Sequence, residues 1–251
     1  MSSAPTAFVA ALRDELAGVL GLLPDERRQV VAGREFWVGH LHGQEVVVTL
    51  SGIGKVAAAT TAALLTDRFR ARRIVFTGVA GGLGPGVRVG DVVLARSLLQ
   101  HDMDASPLFP RHEVPGYDRS RFETDGHLAD ALEQACMRML GTLPQRLDTA
   151  AVVAYGLHAP RLHQGLLVSG DRFVATTAES QALQNELPEA LAVEMEGAAF
   201  AQVCHDFGVP LAVVRTISDR ADDDAHVDFP RFLNDVASRY SAAIIEAFFL
   251  S

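Results

Sequence analysis

Cysteine is scarce in this sequence, and the surroundings of the two cysteines exclude two classes of protein. The chain of 251 residues contains Cys136 and Cys204 without a Cys-x-x-Cys spacing and without a histidine cluster beside them. A disulfide framework or a zinc site is therefore not expected, and a reducing cytoplasm is the favoured location. We expect neither a metal nor an organic cofactor.

A basic leader and long apolar runs are also lacking. The longest apolar stretches have only the length of strands, so no transmembrane helix is expected. Residues 1–6 lack the basic start and the apolar run of a secretory signal peptide. These absences predict a cytoplasmic protein that has no membrane partner.

Positive charge is in the minority. The formal net charge is -9, and an acidic surface repels the phosphate backbone of nucleic acids. One local group of arginines, at positions 68, 70, 72 and 73, directly precedes an apolar run and is typical of a solvated helix end. We therefore expect a small molecule, and no nucleic acid, as the partner.

The residues that are present predict one α/β domain over residues 1–251. Hydrophobic residues make up 49% of the chain and charged residues 21%, as in ordinary globular proteins. Strand-like apolar runs alternate with helical segments, which predicts a largely parallel sheet, and a hairpin over residues 36–50 makes the sheet mixed. The strand-like runs are residues 8–12, 36–41, 46–50, 74–79, 91–95, 165–169 and 211–217.

Three segments have the spacing of helices, namely residues 55–69, 195–207 and 229–248. In the last of these, Phe229 belongs to an apolar stripe for which core packing is the simplest role. Residues 141–165 contain Pro144 and Pro160 around a short apolar segment. We interpret them as an irregular insertion with one extra short element.

Two glycine-containing turns follow strands. The first, residues 51–55 (SGIGK), fits a loose dinucleotide fingerprint, but the next strand ends without the acidic residue that would hold a ribose. We interpret it as a tight strand-to-helix turn in which Ser51 caps the helix. The second, residues 77–82 (TGVAGG), is either a platform for a flat ring or a bend with close strand packing.

Three acidic residues are each expected near the carboxyl end of a strand: Glu15, Glu196 and Asp219. Each alone is typical of a solvated acid or a helix cap, but the carboxyl ends of parallel strands meet in one cleft. Hydrolysis of a nucleoside N-glycosidic bond needs such a set. One acid protonates the purine, one carboxylate activates water, and a third holds the ribose.

Six segments together resemble the bacterial 5'-methylthioadenosine/S-adenosylhomocysteine nucleosidases of the nucleoside phosphorylase superfamily. They are residues 51–58 (SGIGKVAA), 77–83 (TGVAGGL), 89–93 (VGDVV), 169–173 (SGDRF), 193–196 (VEME) and 215–219 (RTISD). The resemblance implies a three-layer α/β/α sandwich with a central mixed, largely parallel sheet. It also implies a homodimer that hydrolyses 5'-methylthioadenosine and/or S-adenosylhomocysteine to adenine and a 5-alkylthio-ribose, as in methionine salvage.

The resemblance further implies a role for each catalytic carboxyl group. Glu15 would deprotonate the attacking water, Asp219 would protonate N7 and hold the 6-amino group, and Glu196 would hold the ribose hydroxyls. The implied substrate-binding residues are Met195 at the ribose, Phe173 stacked on adenine, Val174 through its backbone, Glu194 through a water network, the turn residues Val79, Ala80 and Gly81, Ser218, and Leu108 and Pro115 in a loop from the partner subunit.

Phosphorolysis is the nearest alternative. The related hexameric phosphorylases carry a Gly-Asp-Pro-x-Arg phosphate loop, where this chain reads Val-Ala-Ala-Leu-Arg over residues 9–13. They also place an arginine where this chain has Phe76 and Thr77. The loss of both basic ligands favours water as the nucleophile and leaves Arg13 as the residue to test.

Three further alternatives stay open. The substrate could be 5'-deoxyadenosine or a futalosine-like nucleoside, since these differ at the 5' side. A metal hydrolase could use the acidic cluster around Asp222, Asp223, Asp224, His226 and Asp228, although this cluster lacks EF-hand spacing. A binding protein without turnover could keep the same pocket.

Overall fold

The structure is a computed structural model that describes residues 4–250. Within this range the chain forms eleven strands. They are β1 (Thr6–Ala10), β2 (Arg27–Val31), β3 (Arg34–Leu41), β4 (Gln44–Leu50), β5 (Arg73–Phe76), β6 (Val79–Gly82), β7 (Val92–Gln100), β8 (Arg121–Glu123), β9 (Leu162–Ser169), β10 (Ala190–Glu194) and β11 (Leu211–Asp219). All seven runs of strand-like sequence overlap these strands.

Eight α-helices connect and follow the strands. They are α1 (Arg13–Leu20), α2 (Lys55–Asp67), α3 (Gly126–Arg146), α4 (Thr149–Ala154), α5 (Thr177–Glu186), α6 (Gly197–Phe207), α7 (Ala225–Phe232) and α8 (Ser238–Phe249), with a π-helical turn at Leu233–Ala237 between the last two. Each helix within residues 4–250 is too short or too polar to cross a membrane.

The strands form one mixed sheet in the order β2-β3-β4-β1-β5-β11-β6-β10-β9-β7-β8. The predicted hairpin is the antiparallel pair β3 and β4, whereas β1 pairs in parallel with both β4 and β5. Strand β11 also pairs antiparallel with β7, so β11, β6, β10, β9 and β7 close into a ring. This closure brings the ends of β6, β10 and β11 together.

Alternation along β1 divides the apolar core. Phe8 packs in one buried cluster with Ile244 of α8, and Val9 packs in another with Phe200 of α6. Successive side chains of a strand point to opposite faces, so the two clusters lie on opposite sides of β1. The strand is therefore held rigidly from both sides, directly before the segment that carries Glu15.

The predicted strand over residues 74–79 is wrong as a single element. It is broken at Gly78, whose φ of +148° lies in a region that favours glycine, and β5 and β6 stand on either side. A Cβ at Gly78 would lie 2.8 Å from Oε1 of Glu15. Glycine is thus required here because a carboxylate approaches the backbone.

The prediction of an irregular segment over residues 141–165 is also wrong in part. Its beginning is the last part of α3, its middle contains α4, and its end is the start of β9. Local composition missed α3 because Gly141 and Pro144 interrupt an otherwise helical pattern, which the rest of a 21-residue helix overrides. That the segment is an insertion stays a prediction.

Candidate active site

A cavity of about 360 Å³ lies where β1, β10 and β11 end, against the first three residues of β6. Its walls are formed by these residues of β6, by the residues at or shortly after the ends of the other three strands, by the turn before α2, by the Phe173 segment and by α7. The lining residues are Ala11, Leu12, Glu15, Ile53, Val79, Ala80, Gly81, Arg172, Phe173, Val174, Val193, Glu194, Met195, Glu196, Ser218, Asp219 and Phe229. Every site residue expected from the sequence is among them except Leu108 and Pro115.

Glu15 is held by three backbone donors. Its Oε2 accepts from the N–H groups of Ala11 (2.9 Å) and Leu12 (2.8 Å), and its Oε1 accepts from that of Val79 (2.9 Å). Burial raises the pKa of Glu15, and Arg215 and these three N–H groups act in the opposite direction. The result is an immobile carboxyl group with raised basicity, which suits a general base.

Asp219 is fixed by its neighbours along the chain. Its Oδ2 accepts from Ser218 Oγ (2.7 Å), and its Oδ1 accepts from the N–H group of Ala221 (2.8 Å). Burial raises the pKa of Asp219, against the effect of these two hydrogen bonds. A carboxyl group that keeps its proton to a higher pH is suited to donate it to a ligand in the cavity.

Glu196 stands at the N-cap position of α6, and its Oε1 accepts from the N–H group of Gly54 (2.9 Å). Burial, followed by the neighbouring carboxylate of Glu194, raises the pKa of Glu196 to about 8. The side chain of Glu196, two residues after the end of β10, lines the cavity and contacts the turn before α2.

Replacing Glu196 should change how stability depends on pH. The carboxyl of an unfolded chain has a pKa near 4.5 and that of folded Glu196 about 8, so the folded state keeps a proton between these values that the unfolded state releases. Stability from this group is present below pH 4.5 and is lost as the pH rises through 8. In Glu196→Gln this loss of stability at high pH no longer occurs, because glutamine does not titrate. Its amide oxygen can still accept from the N–H group of Gly54.

We expect the melting temperature of Glu196→Gln minus that of the unaltered protein to be larger at pH 8.5 than at pH 5. The increase in this difference should be at least about 2–4 °C, the effect of roughly 1 kcal/mol in a chain of this size. Differential scanning calorimetry at both pH values measures it, with Glu26→Gln at an exposed position as the control. A constant difference would contradict the raised pKa.

Glu194 and Arg215 form an ion pair that the sequence did not predict. Arg215 Nη2 donates to Glu194 Oε2 at 2.8 Å, and both side chains are almost wholly buried. The Glu194 carboxylate also accepts from Ser169 Oγ and from the N–H group of Gly197. The one available signal was an arginine within a buried apolar strand. The water network expected at Glu194 stays a prediction.

Two aromatic rings meet in the lining of the cavity. Phe173 is 41% exposed and meets Phe229 edge to face, with 5.6 Å between ring centroids. Phe229 packs against the core, as the helical spacing predicted, and it also lines the cavity. Helical spacing identified the apolar face correctly and could not show that it also forms a pocket wall.

The second glycine turn fits both interpretations that the sequence left open. Val79, Ala80 and Gly81 line the cavity, so a flat ring can lie against them. A Cβ at Gly81 would lie 3.0 Å from Asp219 Oδ1 and 3.0 Å from the Ala221 Cβ, so close packing needs glycine as well. The small residues thus serve the cavity and the position of Asp219.

The first glycine turn differs from expectation in its cap. The N-cap residue of α2 is Gly54, and Ser51 Oγ donates to the carbonyl of Gly52 instead of capping the helix. The prediction for Ser51 is therefore wrong. The carboxylate of Asp171 takes this role, since its Oδ1 accepts from the N–H group of Lys55 at 2.7 Å.

Leu108 and Pro115 lie outside the lining of the cavity in this chain. Leu108 is 84% exposed, and the loop between them is fastened by Glu186, which accepts from His112 Nε2 at 2.9 Å. Their expected role in a partner's site stays a prediction. Among residues 4–250, no three potential metal ligands converge, and this range includes the acidic segment after Asp219.

The chain matches the model of the phosphorylase superfamily over residues 5–249. It is 38% identical over 245 residues to the 5'-methylthioadenosine/S-adenosylhomocysteine nucleosidase of Mycobacterium bovis, covering 94% of each chain. The nucleosidase of that name from Neisseria meningitidis, solved with methylthio-immucillin-A, has a TM-score of 0.85 and 33% identity, with 98% of this chain and 99% of that chain covered. The native structure of the futalosine hydrolase of Helicobacter pylori has a TM-score of 0.83 and 30% identity, with 98% of each chain covered.

Both the matched superfamily and the named relatives extend over nearly the whole length of this α/β chain. The chain therefore belongs to the phosphorylase superfamily and, within it, to the family of 5'-methylthioadenosine/S-adenosylhomocysteine nucleosidases. The family and the enzyme class predicted from the sequence, an N-glycosidic hydrolase, are confirmed.

Proposed function

We propose that this chain hydrolyses the N-glycosidic bond of 5'-methylthioadenosine and/or S-adenosylhomocysteine, releasing adenine and the 5-alkylthio-ribose. The observation that carries the proposal is the convergence of three buried carboxyl groups, Glu15, Glu196 and Asp219, on one cavity. Each has a raised pKa caused first by burial, and each accepts a hydrogen bond from at least one backbone N–H group. The names of its relatives indicate the nucleoside that such a site cleaves.

Asp219 is the proposed general acid. A purine becomes a good leaving group when N7 is protonated, and a buried aspartic acid can donate that proton while it accepts from the 6-amino group. An aspartate at this position suits adenine, whereas an asparagine would suit a 6-oxopurine. Phe173 would stack on the base, and the backbone of Val174 would contact its edge.

Glu15 is the proposed general base. The attacking water would lie between Glu15 and the anomeric carbon, and its proton would pass to the Glu15 carboxylate as the C–O bond forms. The bond to N9 breaks as Asp219 delivers its proton to N7. Glu196 would accept from the ribose hydroxyls, and Met195 would contact the sugar, while positive charge develops on the ring.

Water is favoured over phosphate as the nucleophile. Arg13, the residue that kept phosphorolysis open, is outside the lining of the cavity. Its side chain is 69% exposed and lies 3.7 Å from Glu35 Oε2. The arginine in the cavity lining, Arg172, is 76% exposed and already pairs with Glu179, so a dianionic phosphate beside Glu15 and Glu196 would meet no unpaired cation among the lining residues.

A futalosine-like nucleoside is a second candidate substrate. The observation that favours it is the similarity over nearly the whole chain to the futalosine hydrolase of Helicobacter pylori. The two candidates share the purine and ribose contacts and differ at the 5' substituent. We infer that Ile53 and Phe229, two apolar residues of the cavity lining, would meet this substituent.

We also infer a cytoplasmic homodimer in which the loop containing Leu108 and Pro115 covers the 5' group in the partner's site. The high exposure of Leu108 supports this placement. A role in methionine salvage follows from the proposed substrate. We further infer the three-layer arrangement with a largely parallel sheet, supported by the parallel neighbours of β1 and by the apolar clusters around Phe8 and Val9.

The test incubates purified protein with 5'-methylthioadenosine, with and without phosphate, and quantifies adenine and the sugar. We expect adenine and free methylthioribose at rates that do not depend on phosphate. Formation of a ribose 1-phosphate only with phosphate would contradict hydrolysis and make Arg13 the next residue to alter. If only futalosine or 5'-deoxyadenosine releases a base, the second substrate class replaces the first.

A further inference from the structure

A single backbone amide holds the carboxylate that faces the ribose. Among the described residues, the hydrogen bond that the Glu196 carboxylate receives comes from the Gly54 N–H group, at 2.9 Å. Gly54 has φ +91°, a conformation that L side chains rarely adopt. The direction of this amide therefore depends on whatever keeps the turn before α2 in place.

The carboxylate of Asp171 fastens that turn. Its Oδ1 accepts from the N–H group of Lys55, the residue after Gly54, at 2.7 Å. A Cβ at Gly54 would lie 3.0 Å from the same oxygen, so the turn and the carboxylate are in direct contact. The first turn of α2 is thus capped by a residue 116 positions away in the sequence.

A second carboxylate, that of Asp102, holds Asp171 in place. Lys55 Nζ lies 2.6 Å from Asp102 Oδ1, and Asp102 Oδ2 accepts from the N–H group of Asp171 at 2.8 Å. Lys55 Nζ also donates to Gln100 Oε1 at 3.1 Å. The Lys55 side chain is only 16% exposed, so this ion pair is shielded more than a surface pair. The three residues form a closed circuit around the turn.

We propose that Lys55, Asp102 and Asp171 are positioning residues that hold the Gly54 amide in place and thereby orient Glu196 toward the ribose. None of the three lines the cavity, so each acts through Gly54 and not on the substrate. The proposal rests on the proposed function, because it assigns the ribose hydroxyls to Glu196. It also explains why a turn that resembles a nucleotide-binding loop occurs beside a site without phosphate.

The test compares Lys55→Met with the unaltered protein on two substrates. Methionine keeps much of the apolar stem of lysine and loses the contacts to Asp102 and Gln100. We expect kcat/KM for 5'-methylthioadenosine to fall on the order of 10- to 100-fold, the cost of misplacing a contact by about 1 Å. For 5'-methylthio-2',3'-dideoxyadenosine, which lacks the hydroxyls, the loss should be at most about twofold. Lys55→Arg, which keeps the charge, should restore most of the activity.

Two comparisons separate positioning from general damage. In a Glu196→Ala background, Lys55→Met should cause little further loss, because the side chain that Gly54 orients has been removed. Arg146→Met removes an exposed ion pair with Glu246, at 2.6 Å, and should leave activity unchanged. Equal losses on both substrates, or full losses in the Glu196→Ala background, would overturn the proposal.

A measurement independent of activity keeps the two proposals apart. Amide hydrogen exchange at Gly54 should be faster in Lys55→Met and in Asp171→Ala than in the unaltered protein, whether or not substrate is present. Unchanged exchange in both variants would overturn the positioning role. Failure of the unaltered protein to release adenine would instead overturn the proposed function, and the exchange result would still decide whether the circuit holds the turn.

Discussion

Replacing Asp219 by asparagine should abolish most of the turnover and leave the fold intact. The variant cannot deliver a proton to N7, so we expect kcat to fall about 10²–10⁴-fold, the usual contribution of general acid catalysis. Substrate binding should change little, since an amide of the same shape still faces the purine. Single-turnover release of adenine and the dissociation constant of 5'-methylthioadenosine measure the two effects separately.

The surroundings of Asp219 explain why the fold should tolerate this change. The amide oxygen of asparagine can accept from the N–H group of Ala221, as Asp219 Oδ1 does at 2.8 Å. The amide nitrogen can donate to Ser218 Oγ, whose hydroxyl then turns toward the carbonyl of Ala80, 3.4 Å away. Every buried polar group at this position therefore keeps a partner. An unpaired buried polar group, the usual source of a large loss of stability, does not arise.

Asp224→Asn is the matched control for Asp219→Asn. Asp224 is exposed and lies in the same acidic segment without lining the cavity. It should retain full activity, and a chelator should have no effect. Unchanged turnover in Asp219→Asn would refute the proposed acid, and loss of activity in Asp224→Asn or with the chelator would favour the metal alternative.

Replacing Glu15 by glutamine should be comparably damaging to turnover and should also cost stability. The variant lacks the base that takes the proton of water, so we expect kcat to fall about 10²–10⁴-fold. The amide nitrogen of glutamine would have to face a backbone N–H group, because three such donors surround the two oxygens of Glu15. Leaving one donor unpaired should cost about 1–3 kcal/mol.

Calorimetry and steady-state kinetics on Glu15→Gln should therefore show both losses together. Asp14→Asn, at the exposed position beside Glu15 in α1, is the control and should show neither. The kinetic loss must persist at a temperature well below the melting point of the variant. A variant that is less stable but turns over at the normal rate would exclude Glu15 as the base.

Much of the site could be predicted from the sequence because the acids follow strands. Asp219 is the last residue of β11, and Glu15 and Glu196 come shortly after β1 and β10. Strands β1 and β11 both pair in parallel with β5, so their ends meet at one edge and position along the chain already indicated that Glu15 and Asp219 are close. Strand β10 runs antiparallel to β6, and only the closure of the sheet brings Glu196 to them. The ordered motifs likewise predicted the family that the comparisons confirm.

The sequence was less informative where a local pattern has two physical outcomes. The run over residues 74–79 has the composition of one strand, and only the carboxylate of Glu15 against Gly78 explains the break. Phe229 has the spacing of a core residue, and only the direction of α7 places its ring at the cavity. In both cases the deciding contact joins segments that are far apart in sequence.

By itself, then, the sequence determined the α/β class, the family and the three carboxyl groups, because these depend on residue type and on order along the chain. The tertiary structure alone decided how each carboxyl group is held. The ion pair of Glu194 with Arg215 and the circuit of Lys55, Asp102 and Asp171 join strands and turns that no spacing rule connects. Burial, which raises the pKa of Glu15, Glu196 and Asp219, likewise arises only when the chain is packed around them.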